Sequence, residues 1–114
     1  MDFNTVSIMG RLTADPKVFE SDGKMRVQFS LANNKNKNEV NYVECIMFQK
    51  PAELFIVLDL KKGDQLIVNG SLSISTYDTK DNIKQKSVSI IVSGFNIVQR
   101  KKVVKKQAVV AWWV

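Results

Sequence analysis

The stretch that decides the fold runs from Pro51 to Leu72 and reads PAELFIVLDLKKGDQLIVNGSL. Apolar residues recur three or four positions apart in its first half, as on one face of a helix. From Leu66 onward they fall on every second position, as on one face of a strand. Gly63 separates the two periods, and glycine is the residue that most often ends a helix. The stretch therefore predicts one helix followed directly by a strand.

The charges within this stretch predict where the helix begins and ends. Proline stands near its start at Pro51, with Glu53 in the first turn. Lys61 and Lys62 fall in the last turn, and Gly63 follows them. Acidic residues near the start and basic residues near the end would complement the helix dipole.

Three strands are predicted before the helix. Apolar and polar residues alternate over 3–12, 25–32 and 40–49, so each of these strands would bury one face. Between the first two, residues 14–24 contain Asp-Pro and Asp-Gly pairs, which favour turns. That segment is predicted to be a loop or the arm of a hairpin.

Two strands are predicted after the helix, over 64–77 and 85–98. Gly70 in the middle of the first suggests the bend or bulge that a small barrel needs. The tip between the strands contains Asn82, a residue that tolerates a positive φ. Their inward faces are predicted to hold Leu66, Val68, Leu72, Ile74, Val88, Ile90 and Val92.

Together these elements predict an all-β domain with one helix. Five strands, with the helix between the third and the fourth, fit a five-stranded OB-fold barrel. This domain would cover residues 1–99, and residues 100–114 would form a basic, tryptophan-containing C-terminal tail. OB folds bind oligonucleotides or oligosaccharides on their middle strands and neighbouring loops.

Three aromatic residues fall on the polar faces of predicted strands: Tyr42, Phe48 and Tyr77. Exposed rings on a sheet with lysines nearby suit the stacking of unpaired bases. The alternative is that the rings pack in the barrel or in an interface between subunits.

The net charge of +6 comes mostly from the tail. Five of the 17 basic residues lie in 100–106, which leaves 12 basic and 11 acidic residues in 1–99, a net charge of +1. The cations in or near the predicted loops are either phosphate contacts or ordinary solvated charges. They are Arg11, Lys24, Arg26, Lys35, Lys37, Lys80, Lys84 and Lys86.

The composition argues against an enzyme. There is no histidine, and the single cysteine, Cys45, cannot build a cysteine zinc site. No glycine-rich phosphate loop of the Walker type occurs. We therefore expect no catalytic residues, no metal and no cofactor. Cys45 alternates with apolar neighbours and is predicted to be a buried thiol. No apolar run is long enough to span a membrane, and the N-terminus lacks a secretory pattern, so a cytoplasmic location is expected.

Four segments of the chain, taken in their order and spacing, resemble segments of a known protein family. They are Gly10–Pro16, Phe48-Gln49-Lys50, Leu60–Leu72 and Tyr77–Asp81. Over about residues 4–99 the chain resembles the bacterial and phage-type single-stranded DNA-binding protein family, which has an OB fold. The resemblance implies sequence-independent binding that protects unpaired DNA strands in replication, recombination or repair. It also implies a homo-oligomer, usually a homotetramer, with a dimer as the alternative.

The resemblance also assigns roles to single positions. Tyr42, Phe48 and Tyr77 match positions where the family stacks bases, and Lys50 and Lys62 match phosphate-contacting lysines. The chain departs from the family at 73–76, which reads Ser-Ile-Ser-Thr where relatives usually carry arginines. Weaker phosphate contact is therefore expected there.

The tail departs further from the family pattern. It contains no acidic residue, so recruitment of repair proteins through an acidic tip is not expected. Its Trp112 and Trp113 have three interpretations: base stacking in a cationic clamp, docking on a neighbouring subunit, or a disordered or cloning-derived end. Short relatives without the acidic tail suggest a mobile-element origin.

Two other functions are left open by the residues. One is a protein-interaction module of a replication or primosome complex, with nucleic-acid binding secondary. The near-neutral charge of 1–99 and the absence of arginines at 73–76 support it. The other is an RNA-binding role of the cold-shock type.

Overall fold

The computed structural model describes residues 2–100, so the predicted tail residues 101–114 lie outside the described part of the chain. Six strands and one helix occur in residues 2–100. In chain order they are β1 (Val6–Leu12), β2 (Lys17–Ser21), β3 (Lys24–Asn36), β4 (Glu39–Phe48), α1 (Gln49–Val57), β5 (Gln65–Asp78) and β6 (Lys84–Gln99).

The strands form one sheet that closes on itself. Their order is β1-β5-β6-β4-β3-β2, and β1 also pairs with β3 at Arg11–Ala32 and Leu12–Leu31. β4 and β6 pair in parallel, whereas the other pairs are antiparallel. Five strands therefore make a closed barrel, and β2 lies outside the closure. The prediction of a five-stranded OB barrel with one helix is confirmed.

β2 is a strand that the sequence patterns did not separate from its loop. It pairs with β3 from Lys17–Gln28 to Ser21–Lys24 and forms the hairpin arm that was one of the two predictions for 14–24. Asp22 (φ 52°) and Gly23 (φ 77°) form its turn. Two consecutive positive φ values match the twist of a tight hairpin, and Asp-Gly is a preferred pair there. Because β2 adds a strand, α1 follows the fourth strand of the chain, which is the third strand of the barrel.

The helix differs from its predicted bounds. α1 begins two residues before Pro51 and ends at Val57, so Lys61 and Lys62 lie beyond it. No acidic residue lies in its first turn and no basic residue in its last. The predicted match of Glu53, Lys61 and Lys62 to the helix dipole is therefore wrong.

The helix ends early because the following loop is held by other contacts. Asp59 takes a positive φ of 51°, which the helix cannot continue. The buried carboxylate of Asp64 accepts a hydrogen bond from the backbone N–H of Lys61 at 2.9 Å. The backbone N–H of Gly63 donates to the carbonyl of Leu12 at 2.9 Å, so the loop is tied to β1.

The core fills the barrel interior, and α1 closes one end of it. Phe55 on α1 is 1% exposed; its ring stacks on Phe29 at 4.8 Å and meets the edge of Phe95 at 5.1 Å. Burial, with a smaller contribution from Glu44, raises the pKa of the Cys45 thiol to about 12, and the prediction of a buried thiol is confirmed. The other fully buried apolar side chains are Leu12, Val27, Leu31, Met47, Ala52, Leu60, Leu66, Val68, Ile90 and Val92.

Gly70 marks the point where β5 leaves the barrel. The pairing register with β6 shifts between Asn69 and Gly70, which confirms the predicted irregularity. A Cβ added at Gly70 would collide with the carbonyl oxygen of Ile91, so no larger residue fits without movement of the backbone.

Beyond Gly70, β5 and β6 continue as a projecting hairpin. We call this segment, residues 71–88, the β5–β6 arm; β6 pairs with β4 of the barrel from Ser89 to Ile91. Leu72, Ile74 and Val88 were predicted to point inward and be buried, but they are 40%, 57% and 52% exposed. That prediction is wrong because the arm extends past the barrel, where no other strand or helix of residues 2–100 covers this face. At the tip, Asn82 has the positive φ that was predicted.

Candidate nucleic-acid interface

The outer face of β3 and β4 carries two of the predicted aromatic residues. Ala32 pairs with Tyr42 and Arg26 pairs with Phe48. Paired residues on neighbouring strands point to the same side of the sheet. Because Val27 next to Arg26 points into the barrel, Tyr42 and Phe48 point out of it. They are six residues apart on β4, or about 20 Å at about 3.3 Å per residue.

The same face continues onto β6 and β5. Glu44 of β4 pairs with Ser89 of β6, which pairs with Ser73 of β5. Tyr77 lies two pleats further along β5, so it shares this side of the sheet. We call this surface the outer face. It holds Tyr42, Phe48 and Tyr77, which are 71%, 42% and 53% exposed.

Small hydroxyl side chains connect the ring on the β5–β6 arm to the barrel. Ser71, Ser73 and Ser75 alternate along β5, facing Ile91, Ser89 and Ser87 of β6. This part of the outer face is uncharged. It offers hydroxyl donors and acceptors, but no cation that could hold a phosphate.

An acidic residue stands between the two rings of β4. Glu44 is exposed on the outer face, between Tyr42 and Phe48 and opposite Ser30. A carboxylate at this place repels phosphates. The alternating pattern of β4 already put Glu44 on the same side as both rings, so its effect could have been predicted from the sequence.

Sequence reasoning missed two residues on β2. Phe19 pairs with Arg26 and Lys17 pairs with Gln28, so both belong to the outer face. Phe19 is 40% exposed, and the guanidinium carbon of Arg26 lies 4.5 Å from the centre of its ring. The signal that could have found them is the alternation of Lys17, Phe19 and Ser21 between two turn-forming pairs.

Several predicted cations lie at or beside the outer face. Lys24 and Arg26 are on β3, where they occupy the face directly. Lys50 is exposed in the first turn of α1, two residues after Phe48. Lys62 is exposed in the loop after α1, and its backbone N–H donates to Asp15 Oδ1 at 2.8 Å. Lys80 lies at the tip of the arm.

Other predicted cations have different surroundings. Lys84 pairs with Asp78 and Lys86 with Thr76, which places both on the side of the arm opposite Tyr77. The structure therefore does not bring these two lysines together with the aromatic residues. Their contact with phosphate stays a prediction.

Three more candidates sit elsewhere on the barrel. The Arg11 guanidinium donates to the carbonyl of Gly63 at 2.8 Å and to Gln99 Oε1 at 3.1 Å, so it joins β1 to the loop after α1 and to β6. Lys35 forms an exposed ion pair with Glu39 at 4.0 Å, and Lys37 lies in the turn between β3 and β4. Their binding roles also stay predictions.

Within residues 2–100, no three His, Cys, Asp or Glu side chains are grouped so that they could hold a metal ion. No helix in that part of the chain is long and apolar enough to cross a membrane. The outer face offers flat rings, hydroxyl groups and a few cations.

A family model described as "Single-strand binding protein family" matches residues 3–98. The chain belongs to the single-strand binding protein family. Curated relatives of the family include the single-stranded DNA-binding protein of Borreliella burgdorferi, which is 35% identical over 114 residues and covers 86% of this chain and 76% of its own. The protein of the same name from onion yellows phytoplasma is 31% identical, over 86% of this chain and 96% of its own.

Some relatives in the family are longer than the matched region. The chain spans 65% of the length of the single-stranded DNA-binding protein of Clostridium perfringens, to which it is 31% identical. Among solved structures, the mitochondrial single-stranded DNA-binding protein Rim1 of S. cerevisiae superimposes with a TM-score of 0.76 over 89% of this chain and all of its own. The sequence identity is 21%, so this similarity supports the fold of the family alone.

Proposed function

We propose that this protein binds single-stranded DNA without sequence preference and protects unpaired strands during replication, recombination or repair. The observation that carries the proposal is the alignment of Tyr42, Phe48 and Tyr77 on one continuous outer face, where each ring is exposed. Family membership supports it, since the curated relatives are named single-stranded DNA-binding proteins.

Binding would combine stacking with phosphate contacts. Every base has a flat π-face, so rings on a sheet accept any sequence, and each stacked base is worth about 1–3 kcal/mol. The proposed phosphate contacts are the predicted cations. Lys24 and Arg26 share the outer face, Lys50 follows Phe48 by two residues and Lys80 follows Tyr77 by three. The other proposed contacts are Arg11, Lys35, Lys37, Lys62, Lys84 and Lys86. The proposed activity is binding alone, which needs no cofactor.

We also propose a homo-oligomer, a tetramer or else a dimer. β1 pairs with β5 from Val6 to Arg11, but with β3 only at Arg11 and Leu12. Its second edge over Val6–Gly10 therefore carries no strand of residues 2–100. Open strand edges readily pair with another chain. The proposed place of action is the cytoplasm.

The first test is a titration of the full-length protein with poly(dT), single-stranded RNA and duplex DNA at two salt concentrations. The proposal expects the tightest binding to poly(dT), much weaker binding to duplex, and a loss of affinity as salt rises. On single strands the salt slope is about −0.7 per neutralised phosphate. Equal binding to all three polymers would contradict the proposal.

Removing two rings of the outer face tests stacking directly. We expect Tyr42→Ala with Phe48→Ala to weaken poly(dT) binding by about 2–6 kcal/mol if the two effects add. Phe3→Ala is the matched control, because Phe3 is a 93% exposed ring that precedes β1. If the double variant binds as the control does, stacking on β4 is not the mechanism.

Glu44 provides a test in the opposite direction. Replacing it with Gln removes a negative charge between the two rings but keeps the size of the side chain. We expect Glu44→Gln to tighten binding by about 0.5–1 kcal/mol at low salt, and this gain should shrink at high salt. Glu53→Gln, on the exposed side of α1, is the control and should change little.

A second function has its own support. Residues 1–99 carry a net charge of only +1, and residues 71–75 of the outer face are uncharged. Both suit a protein-interaction module of a replication or primosome complex in which nucleic-acid binding is secondary. Intact DNA affinity in the Tyr42→Ala, Phe48→Ala double variant would favour this alternative.

A further inference from the structure

A row of three flat groups crosses the sheet at the β2 end of the outer face. Phe19 of β2 pairs with Arg26 of β3, and Arg26 pairs with Phe48 of β4. The spacing between neighbouring strands is about 4.8 Å. The Arg26 guanidinium lies over the Phe19 ring at 4.5 Å, and both Phe19 and Phe48 are about 40% exposed.

An open cleft lies along this row. It has a volume of about 490 Å³ and is lined by Phe19, Lys24, Met25, Arg26, Phe48 and Gln49, with Ser21 and Asp22 at the hairpin turn. The volume is within the usual range for small-ligand sites, roughly 300–1,000 Å³. Two cations and one carboxylate line the cleft, so its net charge is positive.

Packing does not explain the position of Phe19. All five residues of β2 are exposed, and β2 lies outside the barrel closure. The guanidinium of Arg26, itself an exposed side chain, lies over the Phe19 ring. An exposed phenylalanine beneath an arginine guanidinium, on the same face as the aromatic residues of β4, has the composition of a base-stacking surface. Both aromatic rings and guanidinium planes stack unpaired bases.

We propose that the cleft binds one further unpaired nucleotide, next to the nucleotide on Phe48. Its base stacks on the Phe19–Arg26 pair and its phosphate lies beside Lys24. The strand would then cross from β4 over β3 to β2, which lengthens the binding site beyond the barrel. This inference rests on the proposed function, since it extends the same outer face.

The test compares two residues of one strand that point to opposite sides. Phe19 belongs to the outer face, whereas Val18 points away from it and is 50% exposed. Fluorescein-labelled dT oligonucleotides of about 4 to 16 nucleotides, the usual range of OB-fold sites, are titrated with full-length wild type, Phe19→Ala and Val18→Ala by anisotropy. Circular dichroism checks that both variants keep the wild-type fold.

We expect Phe19→Ala to lose about 5- to 150-fold in affinity for the longer oligonucleotides and little for the shortest. Val18→Ala should bind like wild type at every length. Phe19→Tyr should restore affinity and Phe19→Leu should not, because leucine keeps the bulk but not the flat face. Arg26→Lys should lose affinity at the same lengths, since lysine keeps the charge but has no plane.

Two outcomes would overturn the inference. If Phe19→Ala and Val18→Ala bind equally at every length, no nucleotide occupies the cleft. An equal loss at every length would make Phe19 a support for Phe48 instead of a separate subsite. Failure of the proposed function is distinguishable, because wild type would then show no preference for dT and the double variant at Tyr42 and Phe48 would bind normally.

Discussion

The two halves of the β5–β6 pair have the same sequence pattern and opposite environments. Near the barrel, Leu66 and Val68 of β5 are fully buried. In the arm, Ile74 of β5 and Val88 of β6 face each other on the same side of the sheet and are more than half exposed. Alternation in a strand therefore determines which side a residue takes, but burial depends on whether another element covers that side.

The covering elements end near Gly70. β1 pairs with β5 from Gln65 to Gly70, and α1 closes the barrel with Phe55. Beyond Gly70, the partner of β5 within residues 2–100 is β6. The barrel half thus has two sides, a solvent side and a core side, whereas the arm has two solvent-facing sides in the described chain.

The largest loss of unfolding free energy is expected when Phe55, the ring that closes the barrel, is truncated. Phe55→Ala removes contacts with Phe29 and Phe95 and leaves a cavity, which costs about 3–5 kcal/mol of unfolding free energy. Urea unfolding followed by circular dichroism measures it. Leu54→Ala on the same helix is the control, since Leu54 is 54% exposed, and it should cost much less. Similar losses in both variants would mean that α1 does not close the core.

A somewhat smaller effect is expected at the boundary between barrel and arm. Gly70→Ala places a Cβ against the Ile91 carbonyl, and overpacking of this kind costs about 1–3 kcal/mol, occasionally more. Gly94→Ala is the matched control, because a Cβ there meets nothing within 4 Å. Thermal unfolding should show a lower midpoint for Gly70→Ala than for Gly94→Ala. Equal midpoints would show that the two strands separate easily at Gly70.

The sequence predicted the barrel well because its elements are set by local periodicity. The alternation of Val27, Phe29 and Leu31 and the bend at Gly70 both reflect physical requirements that act within one or two strands. The end of α1 could not be predicted in the same way. It depends on the positive φ of Asp59 and on the contact of Asp64 with the loop, which are tertiary features.

The residues of the candidate site could be predicted from the sequence about as well as the strands of the barrel. The outward direction of Tyr42, Phe48 and Tyr77 follows from alternation alone, and the structure places all three on one face. The register between strands was not predictable, and register is what aligns Phe19 with Phe48. By contrast, the alternation of Lys84, Lys86 and Val88 along β6 already indicated that both lysines lie on the side opposite Tyr77.

The buried thiol makes the stability of the barrel half depend on pH. The pKa of Cys45 rises from its ordinary value of 9.0 to about 12 in the folded protein. The contribution of the Cys45 thiol to the free energy of unfolding is therefore complete below pH 9. It is lost between pH 9 and 12, because the unfolded chain releases the thiol proton first. By pH 10 the loss should be about 1.4 kcal/mol, since one pKa unit corresponds to about 1.36 kcal/mol.

The measurement is the difference in unfolding free energy between wild type and Cys45→Ala from pH 7 to pH 10.5. The two proteins differ only at position 45, so contributions from the rest of the chain cancel in the difference. The advantage of wild type should shrink above pH 9. A difference that stays constant across this range would show that the thiol is accessible to water.

The smallest loss of unfolding free energy is expected in the arm. Measuring it tests most directly whether the arm and the barrel half differ in burial. Val88 and Val92 lie on the same side of β6, but Val88 is 52% exposed and Val92 is 3% exposed. Val92→Thr buries a hydroxyl and should cost about 1–3 kcal/mol, whereas Val88→Thr should stay within about 0.5 kcal/mol. Urea unfolding at several protein concentrations compares them. A large, concentration-dependent loss in Val88→Thr would show that a second copy of the chain covers the arm, so that both halves of the β5–β6 pair are buried in the assembled protein.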